Sequence, residues 1–238
     1  MLSTLSFPCA LMAIGAASGS LAHAVAGRLI AQRLGGASQD MPVPRWMAVV
    51  ACSAAYVALG MCYGPSAEAL QLMGLAFVLL VASLTDLAAW VIPRECIAAA
   101  LLIRLVYLLF VWFRQGLGPS VSLLAFSLAG IVALVVPLLL LVVVLDGLLG
   151  TESMGGGDLK LFAVGGAFFG WMRGAYLVMV ACVLGIAWYL LSPLRSQGAP
   201  QSSRRPCHAF PFGPAISMAF VVTATIGGPT MQRLMGPW

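Results

Sequence analysis

Long apolar runs dominate this chain of 238 residues, and they could not all be buried in a soluble fold of this length. Hydrophobic residues make up 62% of the sequence and charged residues only 8%, far from the balance of soluble domains. A helix that crosses a bilayer needs roughly 20 such residues. We therefore predict an all-α fold, a polytopic membrane helical bundle of about eight transmembrane helices. It fills residues 1–238 as a single domain.

The predicted helices follow the apolar runs, which are separated by Gly, Pro or charged residues. They cover about 7–30, 46–62, 68–85, 97–113, 120–145, 159–172, 174–192 and 209–228. A helix over 158–172 rises only about 21 Å, too little for a hydrocarbon core of about 30 Å. We therefore expect the preceding glycine loop to dip into a protein-lined pocket. Between runs, we predict a short cytoplasmic linker at 31–45 and a cytoplasmic loop at 193–208.

The charged residues favour a topology with the N-terminus outside. The net charge is +5, but the basic residues are scattered singly between the runs, so no nucleic-acid partner is expected. With the N-terminus outside, eight basic residues lie on the cytoplasmic side and three outside, with Arg104 left within the fourth run. This asymmetry is the one that the positive-inside rule requires. The six cysteines form no CxxC pair, which predicts neither a metal site nor a disulfide framework.

Two of the seven acidic residues lie where a solvated charge is unexpected. Asp86 ends an apolar run, and Asp158 follows Gly155, Gly156 and Gly157 at a position typical of an N-cap. A helix cap and an interfacial carboxylate would account for them without any function. The predicted topology, however, places both at the cytoplasmic ends of their helices, at one depth. Three glycines also allow close backbone approach and positive φ angles, which a cap does not need.

Two carboxylates that share a desolvated site hold one proton between them. The ionised carboxylate can take a proton from an attacking water, while the protonated one polarises the peptide carbonyl, as in aspartic proteases. No Ser/His/Asp set or HExxH motif competes, since His23 and His208 are the only histidines. Two other hypotheses stay open: a small transporter or ion carrier that uses intramembrane carboxylates, and an inactive scaffold.

The segment TESMGGGDLKL at 151–161 closely resembles the GxGD segment of type IV prepilin peptidases, which are aspartic intramembrane peptidases. Asp86 with the following Ile-Pro is similar to that family's other aspartate motif, and PFGP at 211–214 is similar to its C-terminal element. The resemblance implies the following site: a catalytic pair, Asp86 and Asp158; an active-site loop, Gly155, Gly156, Gly157 and Glu152; and motif-supporting positions, Pro93, Lys160, Pro211, Gly213 and Pro214.

The resemblance also implies a function. It is that of an endopeptidase in the bacterial inner membrane, which removes the short basic leader of type IV pilin or pseudopilin precursors at the cytoplasmic face. The partners would be the substrate helix and the lipid bilayer, without a cofactor. Long family members carry a four-cysteine cytoplasmic domain after the first helix, whereas 31–45 contains no cysteine. We therefore expect a short form that binds no metal and lacks the N-methyltransferase activity of the long members. The oligomeric state and the particular pilin stay open.

Two small-residue spacings have a plainer interpretation. Gly15 with Gly19, and Gly166 with Gly170, each follow the small-xxx-small pattern. This pattern lets two helices pack closely in lipid. We predict that these glycines serve helix packing and not catalysis.

Overall fold

The computed structural model describes residues 2–33, 41–150, 154–191 and 211–227, and all regular structure in these ranges is helical. Six of the helices are long and apolar enough to cross a membrane, and α7 is a shorter apolar helix. The predicted helical membrane bundle is therefore confirmed. The helices are α1 Leu2–Arg33, α2 Arg45–Tyr63, α3 Ala67–Ala89, α4 Arg94–Gln115, α5 Leu117–Leu149, α6 Gly156–Leu191 and α7 Gly213–Val222, with a π-helical turn Thr223–Gly227 after α7.

α6 consists of two helical arms, because it breaks at Gly170, where φ is 67° and ψ is −167°. Phe162 and Gly185 lie on either side of the break, and both lie against the ring of Phe212. In a straight helix they would be roughly 34 Å apart. The chain therefore reverses into a hairpin with arms 156–169 and 171–191. Counting both arms gives the predicted number of helices within the described residues, although the break falls at Gly170, earlier than the hydropathy pattern suggested.

The helix ends also differ from the predicted runs. α1 continues to Arg33, so the first three residues of the predicted linker 31–45 are helical. Alanine, glutamine and arginine favour helices, and a basic residue stabilises a helix C-terminus. Residues 34–40 of the linker and the predicted loop 193–208 lie outside the described residues.

Glycines bring the backbones of neighbouring helices into contact. Gly166 in the first arm of α6 lies against Gly130 of α5, and a Cβ on either residue would collide with the other's backbone. Gly15 and Gly19 of α1 approach the backbone of α2 in the same way. Such contacts stabilise helix pairs in lipid, where no hydrophobic effect drives helices together. The packing role predicted for Gly15, Gly19 and Gly166 agrees with these contacts, whereas Gly170 is the positive-φ residue at which α6 breaks.

α3 is central to the bundle, since it contacts α1, α2, α4 and α7. Its buried residues include an uninterrupted stretch from Val81 to Asp86. The helix that carries the first candidate carboxylate is therefore held on several sides.

Replacing Gly166 with alanine tests the contact between α5 and α6. We expect a loss of about 1–3 kcal/mol in unfolding free energy, because the added methyl group meets backbone, which cannot rotate away. Gly27 of α1 is the matched control, since no atom lies within 4 Å of a Cβ placed there. Gly27→Ala should be neutral or stabilising by about 0.5–1 kcal/mol. Titration with SDS, followed by circular dichroism, measures both. Equal stabilities would contradict the close contact.

Candidate active site

Asp86 lies in the last turn of α3 and is only 7% exposed. Its Oδ2 accepts a hydrogen bond of 2.8 Å from the backbone N–H of Gly213. This N–H belongs to the first turn of α7, where backbone donors have no partner within their own helix. A buried carboxylate requires such a donor. Asp86 is therefore not an ordinary interfacial carboxylate, and the start of α7 is its partner.

Gly213 allows the carboxylate to approach this closely. A Cβ at this position would lie 2.7 Å from Asp86 Oδ2 and 3.1 Å from Asp86 Cβ, so a larger residue would displace one of the two. Pro214 follows at the start of α7, where the missing N–H of proline costs no helical hydrogen bond. Pro211 lies half-buried just before this turn. The PFGP element is thus placed directly against Asp86.

The chain turns sharply after Asp86. Trp90 ends α3 with φ of 58°, and its N–H donates to the carbonyl oxygen of Asp86 at 2.9 Å. It is the one non-glycine residue with positive φ among the residues that the structure describes. Such a conformation costs of order 1 kcal/mol and requires support from its surroundings. Pro93, fully buried, then precedes the first turn of α4, and it fixes the start of that helix.

Asp158 is the third residue of α6 and is half-buried. Its N–H donates to the carbonyl oxygen of Gly155 at 3.1 Å, so it lies inside the first turn and the predicted N-cap position is wrong. The positive end of the helix dipole favours a carboxylate there. The expected positive φ in the glycine run is also wrong. The close approach is present at Gly157, where a Cβ would lie 3.1 Å from Ile92, in the connection that follows α3.

Aromatic packing brings the two aspartates together. Phe162, one turn after Asp158, packs against Phe212 with ring centroids 6.4 Å apart. Phe212 immediately precedes Gly213, the residue that donates to Asp86. Gly157, which precedes Asp158, also lies against Ile92 in the connection that follows α3. These contacts place the first turn of α6 beside the end of α3 and the start of α7. The catalytic pair stays a prediction, and two carboxylates that share such a site would favour a shared proton.

The other predicted site residues make no contact with the buried carboxylates within the described ranges. Lys160 is exposed and does not join the buried site. Glu152 lies outside the described residues, and Gly156 has open space around it. Within the described ranges, no group of three His, Cys, Asp or Glu side chains could hold a metal ion.

Sequence reasoning missed two serines beside the site. The Oγ atoms of Ser83 on α3 and Ser217 on α7 are 2.7 Å apart. Their spacing from Asp86 and Gly213, one helical turn in each case, was the available signal. It becomes informative only once α3 and α7 are known to be neighbours.

A comparison with known protein families bears on this arrangement. Residues 73–190 match the type IV leader peptidase family. Through these residues, the chain belongs to that family. The matched span contains both Asp86 and Asp158, whereas the PFGP element at 211–214 lies beyond it.

Curated relatives agree with this assignment. Two proteins from Burkholderia pseudomallei, strains 1026b and K96243, are each named prepilin leader peptidase/N-methyltransferase. Each is 31% identical to this chain over 174 residues, which cover 73% of this chain and 52% of the relative. The chain therefore spans about half the length of the curated relatives it matches. No solved structure matches the chain.

Cross-linking tests the proximity of the two carboxylates. In a variant whose native cysteines are replaced, Asp86→Cys with Asp158→Cys should be linked by a short bifunctional methanethiosulfonate reagent. Asp86→Cys with Lys160→Cys is the matched control, because residues two apart on a helix face different directions. Mass spectrometry detects the linked peptides. Equal linkage in both pairs, or none while each single cysteine reacts, would contradict the arrangement.

Proposed function

We propose that this protein is a membrane-embedded aspartic endopeptidase that removes the short basic leader of type IV pilin or pseudopilin precursors. The observation that supports this most strongly is that Asp86 and Asp158, both within the span that matches the leader peptidase family, lie at helix ends that contact the same segment, Phe212 and Gly213. The name of the curated relatives supports the substrate class.

The surroundings of the two carboxylates suggest their roles. Asp86 accepts a buried hydrogen bond from Gly213, and such a bond to a charged group is worth roughly 1.5–3 kcal/mol. Asp158 is favoured by its helix dipole, which contributes about 0.3–1 kcal/mol. The hydrogen bond is the larger effect. We therefore assign the negative charge to Asp86 and the shared proton to Asp158.

Peptide hydrolysis follows from these roles. Asp86 takes a proton from a water molecule while the water oxygen attacks the carbonyl carbon of the scissile peptide. Asp158 donates a hydrogen bond to the carbonyl oxygen, which stabilises the tetrahedral intermediate. When the carbon–nitrogen bond breaks, a proton passes to the amine, and the pair again holds one proton.

A small transporter is the alternative function, and the position of the carboxylates does not favour it. Transporters bind ions near the membrane midplane. Asp86 lies in the last turn of α3 and Asp158 in the first turn of α6, so both are at helix ends. An inactive scaffold would not require a hydrogen-bonded buried carboxylate beside a second one.

Asparagine variants test the catalytic roles. Asp86→Asn and Asp158→Asn should each reduce cleavage of a co-expressed pilin precursor by at least about 100-fold, since acid–base catalysis contributes roughly 10²–10⁴-fold. Glu95→Gln is the control, because Glu95 is an exposed carboxylate in the first turn of α4. Immunoblots measure both the membrane level of each variant and the processing of the pilin. Wild-type processing by either asparagine variant would refute the pair.

The same cleaved product reports on methylation. We propose that this chain cleaves without methylating the new N-terminus, because residues 31–45 contain no cysteine domain. Mass spectrometry of the mature pilin should show a free N-terminal amine. A mass increase of one methylene that depends on this protein would contradict the proposal.

The proposed location is the bacterial inner membrane, with the carboxylates at the cytoplasmic face. The distribution of basic residues supports this orientation. In a cysteine-replaced variant, Lys160→Cys should react with an impermeant maleimide from the cytoplasmic side. Ser66→Cys, exposed just before α3, should react from the outside. Labelling in right-side-out and inverted vesicles decides this, and the reverse pattern would overturn the orientation.

A further inference from the structure

Two buried serines form a second connection between α3 and α7, in addition to the Asp86–Gly213 hydrogen bond. Ser83 precedes Asp86 by one turn, and Ser217 follows Gly213 by one turn. Their Oγ atoms are 2.7 Å apart, and the two residues are 7% and 9% exposed. The two antiparallel helices are thus joined at two successive levels.

Ser217 reaches the residue that binds the carboxylate. Its Oγ lies 2.9 Å from the carbonyl oxygen of Gly213 and 3.2 Å from that of Leu79 on α3. Ser83 Oγ also lies 2.8 Å from the carbonyl oxygen of Leu79. The two hydroxyl protons are therefore shared among a small set of oxygens from both helices. These oxygens include that of the residue whose N–H holds Asp86.

Thr85 shows that a buried hydroxyl on α3 does not have to bond to a neighbouring helix. Thr85 is as buried as the serines and lies next to Asp86 on α3. Its Oγ1 donates only to carbonyl oxygens of its own helix, those of Val81 and Ala82. Hydroxyl groups in helices commonly form such local bonds. The serine pair differs because it crosses between helices.

We propose that Ser83 and Ser217 are positioning residues, which fix the register of α7 on α3 and so keep the Gly213 N–H on Asp86 Oδ2. An apolar pair of similar size would fill the same space but would allow α7 to slide or rotate. Burial of two hydroxyls is favourable only when they bond to each other or to backbone, so one register is selected. The importance of this register for cleavage rests on the proposed peptidase function.

Three alanine variants test the proposal: Ser83→Ala, Ser217→Ala and the double variant. Each single change should lower kcat for pilin cleavage by roughly threefold to 15-fold with KM unchanged, the range expected for interhelical hydrogen bonds in membranes. The kcat of the double variant should equal that of the less active single variant, because both changes remove the same connection. Thr85→Val is the matched control and should leave kcat unchanged.

The pH profile separates positioning from a general loss of packing. When the Gly213 N–H no longer stays on the carboxylate, Asp86 binds a proton more readily. The acidic limb of the kcat profile should therefore move to higher pH in the serine variants and not in Thr85→Val. If the serine variants match Thr85→Val in both kcat and pH profile, the positioning role is refuted, while pilin cleavage by the wild type still supports the proposed function.

Carboxyl labelling tests the positioning role without a pilin substrate. It applies when the wild type cleaves none of the precursors. Dicyclohexylcarbodiimide reacts with protonated carboxyl groups, and mass spectrometry measures the adduct on Asp86 separately from that on Asp158. Labelling of the serine variants should persist to higher pH than labelling of the wild type and Thr85→Val. That shift would support the positioning role even where the proposed function fails. Identical labelling curves would refute it.

Discussion

The hydrogen bond between the Gly213 N–H and Asp86 Oδ2 is the interaction on which the rest of this site depends. A carboxylate buried near the end of a membrane helix is unfavourable unless a donor reaches it. Here the donor is a backbone N–H in the first turn of α7, where backbone donors have no partner within their own helix. The close approach of the carboxylate explains why the first residue of α7 has no side chain.

Arg104 is a second buried charged residue, and it is stabilised by different partners from those of Asp86. Arg104 of α4 is 5% exposed and donates to Ser127 of α5 and Gln71 of α3. Its guanidinium also lies 5.4 Å from the ring centre of Phe168 and 5.8 Å from that of Tyr107. Neutral acceptors and aromatic faces surround this cation on several sides. Arg104 therefore joins α3, α4, α5 and α6, whereas the Asp86 carboxylate, among the residues that the structure describes, accepts its hydrogen bond from α7 alone.

Much of this architecture follows from the sequence, and the exceptions have physical causes. Apolar runs predict spans because the bilayer sets helix length, and rare acidic residues in such runs identify Asp86 and Asp158. The break at Gly170 was misplaced, because a glycine within an apolar run also fits a continuous helix in lipid. Asp158 was placed at the N-cap position, because local sequence cannot show that the helix begins two residues earlier. The Ser83–Ser217 pair depends on tertiary neighbours, and Thr85 shows how similar residues bond only locally.

The placement of the Asp86 donor on α7 has a consequence for biosynthesis. Both aspartates and six helices precede Gly213 in the chain, so they leave the ribosome before the donor does. At synthesis rates of about 5–20 residues per second, the interval between Asp158 and Gly213 lasts roughly 3 to 11 seconds. During that interval, Asp86 lacks the backbone group that accommodates its charge. The surroundings of Asp86 are therefore complete only once α7 has been inserted.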